Sequence, residues 1–173
     1  MANPSARNIL VILGSARGDG NTFRLQSQLM QTIPHEFINL LDWKIEEYNY
    51  QDEYSQEDQF PELAAKMKDA DIIVFATPVY WYSMSTQLKL FFDRMTNLTD
   101  ILKSVGKALK GKEMALIAVG SSEEIPEGFT VPFSETADYF DMTFKGYIYQ
   151  NSSESNFPKK DASIFGILEP FKK

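Results

Sequence analysis

Two short segments of this chain each follow an apolar run of strand length and each lead into a helix-like pattern. The first is Gly14-Ser15-Ala16-Arg17-Gly18-Asp19-Gly20-Asn21-Thr22, after Asn8-Ile9-Leu10-Val11-Ile12-Leu13. The second is Thr77-Pro78-Val79-Tyr80-Trp81-Tyr82-Ser83, after Asp71-Ile72-Ile73-Val74-Phe75-Ala76. Runs that are apolar throughout, rather than alternating, belong to strands covered on both faces, as in a parallel sheet. That succession restricts the chain to an α/β fold with both loops at the carboxyl edge of one sheet, where such proteins hold ligands.

The remaining elements follow from the same pattern. Thr22, Leu25, Leu29 and Ile33 recur at helical spacing until Pro34. A short strand is predicted over Glu36 to Leu40, and a helix begins at Pro61. From Met84, the residues Leu88, Phe91, Phe92, Met95 and Leu98 form one buried stripe of a long helix. Leu90 lies off the stripe and suggests a second apolar face, for which a subunit contact is one explanation. A helical piece from Ile101 ends at Gly111, Met114 to Val119 is another central strand, and Thr143 to Gln150 alternates as an edge strand does. No long helix is evident over Pro126 to Asp141, and Asn151 to Lys160 reads as a mobile polar loop. The prediction is a three-layer, doubly wound, five-stranded parallel sheet of flavodoxin-like order 2-1-3-4-5, with residues 1–173 as a single domain. Right-handed crossovers then bring the loops after Leu13, Ala76 and Val119 side by side.

The sequence has no cysteine, so it offers no disulfide, no thiolate nucleophile and no cysteine-held iron–sulfur cluster. Any redox chemistry must come from an organic cofactor. A formal charge of -7 without clustered Lys and Arg argues against nucleic acid. No apolar run is long enough to cross a bilayer and residues 1–8 lack an export pattern, so no membrane is involved and a cytoplasmic location is expected. Much of the acid lies between Asp42 and Asp58, interleaved with Trp43, Tyr48, Tyr50 and Tyr54. This stretch reads as a solvated loop over packed aromatics, or as a lid or partner contact. Its carboxylates show no metal-ligand spacing, and no metal is predicted.

The first loop has neither the G-x-G-x-x-G spacing of a dinucleotide fingerprint nor the lysine of a P-loop. It does have small residues that let backbone N–H groups converge, hydroxyls at Ser15 and Thr22, the amide of Asn21, and the guanidinium of Arg17. A helix amino end carries about half a positive charge, so a phosphate is stabilised there by dipole and donors together. A simple turn with Asn21 or Thr22 as helix cap is the plainer alternative. The second loop adds a proline, a small apolar residue and aromatics suited to a flat, electron-poor ring. Together the two loops suggest a site for flavin mononucleotide (FMN).

The segment Gly14-Ser15-Ala16-Arg17 through Gly20-Asn21-Thr22, with Ala70-Asp71, Thr77-Pro78-Val79-Tyr80-Trp81, and Gln87-Leu88-Lys89 through Asp93-Arg94, resembles the NADPH-dependent FMN reductase family of flavodoxin-like flavoproteins over roughly residues 7–125. The resemblance implies non-covalent FMN reduced by NADPH or NADH, with a small-molecule acceptor such as a flavin, quinone or azo compound. It implies that Ser15, Arg17, Gly20, Asn21 and Thr22 hold the phosphate, that Pro78, Val79, Tyr80, Trp81, Tyr82 and Ser83 line the ring, and that Gly120, Ser121 and Ser122 close its other side. No catalytic acid or base is expected; the cofactor accepts hydride, and backbone N–H groups from Val79 to Tyr82 stabilise charge on the ring's N1–C2 edge. A homodimer, or a dimer of dimers, is the expected assembly. His35, at a helix end on the opposite side of the sheet, is read as a surface or capping residue, Asp93 and Arg94 as a structural ion pair or subunit contact, and Glu123 and Glu124 as a solvated turn. Two alternatives stay open: a non-enzymatic electron carrier of flavodoxin type, and a cofactor-free interaction module.

Overall fold

The computed structural model describes residues 7–153. Strands β1 (Ile9–Leu13), β2 (Glu36–Asn39), β3 (Ile72–Pro78), β4 (Glu113–Gly120) and β5 (Thr143–Asn151) form one all-parallel sheet in the order β2-β1-β3-β4-β5. They alternate with helices α1 (Asn21–Met30), α2 (Phe60–Asp69), α3 (Thr86–Arg94), α4 (Lys103–Ala108) and α5 (Val131–Tyr139). The flavodoxin-like strand order predicted from the sequence is therefore the observed one.

Because successive side chains alternate across a strand, each apolar run divides between two cores. Leu10, Ile12, Ile73, Phe75, Met114 and Leu116 pack against α2, α3 and α5 through Leu63, Met67, Leu88, Phe91, Phe133 and Ala137. Ile9, Val11, Leu13, Val74, Ala76, Ile117 and Val119 pack against Leu25 and Met30 of α1. The larger core centres on Phe75, whose ring centroid lies 5.0 Å from Phe92, 5.9 Å from Phe91 and 6.2 Å from Phe133. Each such side chain removed from water contributes about 1.5–3 kcal/mol.

Two sequence expectations are corrected, and one stretch left without an element is found to hold a short helix. The long helix from Met84 is a nine-residue α3 followed by a 3-10 turn over Met95–Thr99. Ser85 caps α3 by accepting from Leu88 N, which sets its start at Thr86. The stretch Pro126 to Asp141 contains α5, whose Pro132 sits in the first turn, where a missing N–H costs nothing. Asp93 and Arg94 do not pair with each other: Asp93 pairs with Lys89, and Arg94 with Asp58. Most of the polar stretch 151–160 lies outside the described residues.

The acidic aromatic stretch is an ordered strap from β2 to α2, closed at its base by Lys44 N donating to Gln59 Oε1 (2.7 Å) and Gln59 N to Lys44 O (2.8 Å). Its anchor is the fully buried Arg94. The guanidinium donates to both Asp58 carboxylate oxygens (2.9 and 2.7 Å) and to Glu46 O (2.9 Å), while Nε donates to Asn97 Oδ1 (2.8 Å). Its carbon lies 3.6 Å from the Tyr54 ring centroid and 4.7 Å from that of Phe60. Asn97 passes the connection on by donating to Asp52 Oδ1 (2.7 Å). Burial pushes the Asp58 carboxyl upward, but the Arg94 hydrogen bonds, the Glu46 amide and the adjacent positive charge outweigh it and hold the group below the ordinary aspartate range.

Candidate functional site

Parallel register fixes where the three loops emerge. Leu13 pairs with Ala76, and Pro78 with Val119, so the chain leaves β1, β3 and β4 at one edge. Backbone bonds join the exits: Gly14 N donates to Ala76 O (2.8 Å) and Val79 N to Val119 O (2.7 Å). All fourteen residues singled out in the sequence lie at this edge.

In the first loop, Ser15 and Thr22 are buried, Arg17 is exposed, and Ser15 Oγ accepts from Arg17 N at 3.4 Å. Helix α1 begins after Gly20, and no side chain caps it. Asn21 and Thr22 are the helix's first two residues, and Gly20 holds the cap position. The opening turn leaves N–H groups without intrahelical partners beside a guanidinium, the arrangement that stabilises a phosphate.

The second loop is a two-residue turn. Tyr80 and Ser83 exchange backbone bonds, Tyr80 N to Ser83 O at 2.9 Å and Ser83 N to Tyr80 O at 3.1 Å. Trp81 (φ 48°) and Tyr82 (φ 65°) between them adopt the left-handed backbone that such turns need and usually reserve for Asn-Gly. Bulky residues there cost on the order of 1–3 kcal/mol each, a strain typical of ligand-binding turns. Their side chains are 93% and 73% exposed, and Tyr80 is 45% exposed. Of the four amides expected to face a ring edge, Val79 and Tyr80 are used internally, so that expectation narrows. Trp81 and Tyr82 keep amides with no acceptor among the described residues.

The third loop begins at Gly120, and Ser121 and Ser122 are exposed. Ser152 N donates to Gly120 O (2.6 Å) and the Tyr149 hydroxyl to Ser122 O (2.8 Å).

The structure also shows a residue that the sequence reading passed over. The buried Ser85 donates from Oγ to Gly14 O (2.7 Å) and from N to Thr77 Oγ1 (3.1 Å), so one serine joins the first loop, the end of β3 and the start of α3. Ser83, chosen instead, is exposed and serves the turn. The usable signal was position: a serine directly before the buried stripe of α3 is a helix-cap signature. His35 lies at the opposite edge, before β2, with Nδ1 2.7 Å from Ile33 O. An apolar groove of about 540 Å³ runs between α3 and α5, bounded by Phe92, Met95, Val131 and Tyr139, and reaches the loops only at Met84.

Comparison with known proteins places the chain among flavodoxin-like folds. The chain is 30% identical over 149 residues to YwqN of Bacillus subtilis (strain 168), whose name describes an NAD(P)H-dependent FMN-containing oxidoreductase, covering 81% of this chain and 82% of that protein. It is 32% identical over 125 residues to the iron-sulfur flavoprotein MJ1083 of Methanocaldococcus jannaschii, covering 66% of this chain and 62% of that one. Among solved structures, the Trp repressor binding protein from Bacillus subtilis superposes with a TM-score of 0.68 at 28% identity, over 84% of this chain and 88% of that chain. The general stress protein 14 of Treponema denticola, solved in complex with FMN, shares the fold with a TM-score of 0.64 at 18% identity, over 94% of this chain and 96% of that one. The model of the NADPH-dependent FMN reductases matches residues 7–126; the chain belongs to that family and is an oxidoreductase with FMN as cofactor and NAD(P)H as co-substrate.

Proposed function

We propose that the three-loop edge binds FMN and that the protein passes electrons from NAD(P)H to a small diffusible acceptor such as a free flavin, quinone or azo compound. The observation that carries this reading is the uncapped amino end of α1 beside Arg17, on the same sheet edge as the unpartnered Trp81 and Tyr82 amides. These features fit the two ends of FMN. Ser15, Arg17, Gly20, Asn21 and Thr22 hold the phosphate; Pro78 to Ser83 and Gly120 to Ser122 hold the ring. FMN, when bound, supplies the two-electron chemistry that carries nicotinamide electrons to the acceptor.

The chain's own residues bind and orient. The dipole of α1 and its free N–H groups fix the phosphate, and Arg17 adds a charge-assisted bond. The Trp81 and Tyr82 amides supply donors where negative charge collects on the ring edge. The aromatic faces of Trp81, Tyr82 and Tyr80 shield the site and give a flat acceptor a stacking surface. The relative named as an iron-sulfur flavoprotein suggests no cluster here, because the thiolates that hold such centres are missing from this sequence. A homodimer is also part of the proposal, with the apolar groove between α3 and α5 and the exposed Val131 and Tyr139 as surface for it to cover. Light scattering at micromolar concentration tests it; a fully active monomer refutes it.

The test of function is an absorbance spectrum after incubation with FMN, anaerobic bleaching by NADPH, and then steady NAD(P)H oxidation with added flavin, quinone or azo dye. Bound FMN that bleaches but turns over with no small acceptor, exchanging electrons only with proteins, supports instead the flavodoxin-type carrier that the acidic strap favours. Protein that takes up no FMN refutes both.

Arg17 gives a sharper measurement. It is exposed and forms no ion pair among the described residues, so its replacement leaves the fold alone. Arg17→Ala weakens FMN about tenfold, with riboflavin affinity and melting temperature unchanged. Equal losses for FMN and riboflavin would remove Arg17 from the phosphate site.

A further inference from the structure

We propose that Tyr149 on β5 is a positioning residue for the flavin ring, acting through the Gly120–Ser122 loop; this rests on the FMN site proposed above. Two contacts carry it. The hydroxyl donates to Ser122 O at 2.8 Å. The ring occupies the space beside Gly120: a Cβ added there would lie 2.6 Å from the Tyr149 hydroxyl oxygen, 3.2 Å from its Cε2 and 3.2 Å from Val79 Cβ. Tyr149 of β5 and Val79 of the loop after β3 therefore both border Gly120 at the end of β4. Both segments assigned to the ring are thus gauged by this one side chain.

The hydroxyl does what a phenylalanine cannot. A planar peptide carries its carbonyl and the next N–H on opposite sides, so fixing Ser122 O also fixes the direction of the Glu123 amide. Burial pushes the Tyr149 hydroxyl above the ordinary tyrosine range, so it stays protonated and donating at working pH. Ser152 N donating to Gly120 O is a further tie between this loop and the end of β5.

The β4 loop is two strands from the β1 loop, about 10 Å at normal strand spacing, so the effect of Tyr149 belongs to the ring end of the cofactor and not the phosphate end. The experiment titrates wild type, Tyr149→Phe and Arg17→Ala with FMN and with riboflavin, and records the melting of each apoprotein. Tyr149→Phe is expected to weaken both flavins by the same factor, about 3- to 10-fold, with apoprotein melting near wild type, whereas Arg17→Ala weakens FMN alone. Wild-type affinities in Tyr149→Phe, a loss confined to FMN, or a lowered melting temperature with both affinities intact overturns the role of Tyr149 while leaving the FMN site standing. A wild type that binds neither flavin overturns the site and this role together. Should Tyr149→Phe fail to fold, Gly120→Ala, which drives a methyl into the same hydroxyl, must give the equal loss for both flavins; unchanged binding overturns the proposal.

Discussion

Arg94→Met lowers the stability of the fold by about 3–5 kcal/mol, read as a fall of more than about 1 M in the urea midpoint. The size comes from what is left behind rather than from the bonds removed. The Asp58 side chain is 2% exposed, and without the guanidinium it is a buried carboxylate with no counter-ion. The loss also frees Glu46 O and Asn97 Oδ1 and empties the space between the Tyr54 and Phe60 rings. Removing the charge together with its partner is a different experiment. Arg94→Met combined with Asp58→Leu leaves no buried charge and recovers most of the loss, because an ion pair replaced by apolar groups of similar size is often close to neutral.

The same pair sets a pH dependence whose sign is fixed by the depressed Asp58 group. A carboxyl held lower in the folded than in the unfolded state contributes stability above the unfolded value, about 3.9, and that stability is lost as pH falls through the folded value. In Arg94→Met the buried carboxyl moves upward instead, so its penalty is full at neutral pH and fades as both states take up the proton. The gap between wild type and variant therefore narrows as pH falls from neutrality toward about 4, where the variant's penalty fades, and narrows further below about 4 as the wild-type contribution is lost. A gap that stays constant from pH 7 to pH 3, or a loss under about 1 kcal/mol at pH 7, would show that the strap is not anchored by this pair.

The contrast between Arg94 and the sheet shows which parts of the molecule a sequence reveals. Strands β1, β3 and β4 are apolar on both faces, and a continuous run states that directly. Helix α5 hides because it is short and buries only Phe133 and Ala137, one turn apart, behind a proline that reads as a stop. The partner of Arg94 lies 36 residues away among carboxylates that all look solvated; nothing local marks Asp58 as the one that turns inward. The loops at the sheet edge were readable as segments because each sits between a strand and a helix. Their internal division of labour was not. Whether Ser83 or Ser85 is the structural serine, and which of the Val79 to Tyr82 amides the turn consumes, depends on how the backbone closes in space.

Gly14→Ala damages both the fold and the cofactor site, and the reason is the closeness of α3. A Cβ at position 14 would lie 2.5 Å from Leu88 Cβ and 3.0 Å from Leu88 Cα and N. Two of those atoms are backbone in the first turn of a helix, so no side-chain rotation relieves the clash. Either β1 or α3 must shift, and Ser85 spans the gap between them through its 2.7 Å bond to Gly14 O. Overpacking of this kind costs about 1–3 kcal/mol, and displacement of the phosphate loop by a fraction of an ångström weakens FMN more than about tenfold. The control is Gly111→Ala. Gly111 has φ 79° with nothing near its Cβ position, so alanine there brings only left-handed backbone strain, at the far edge of the sheet. That substitution costs about 1–2 kcal/mol and leaves FMN affinity at the wild-type value. Equal FMN losses in the two variants would mean that general destabilisation, and not the contact between the first loop and α3, governs binding.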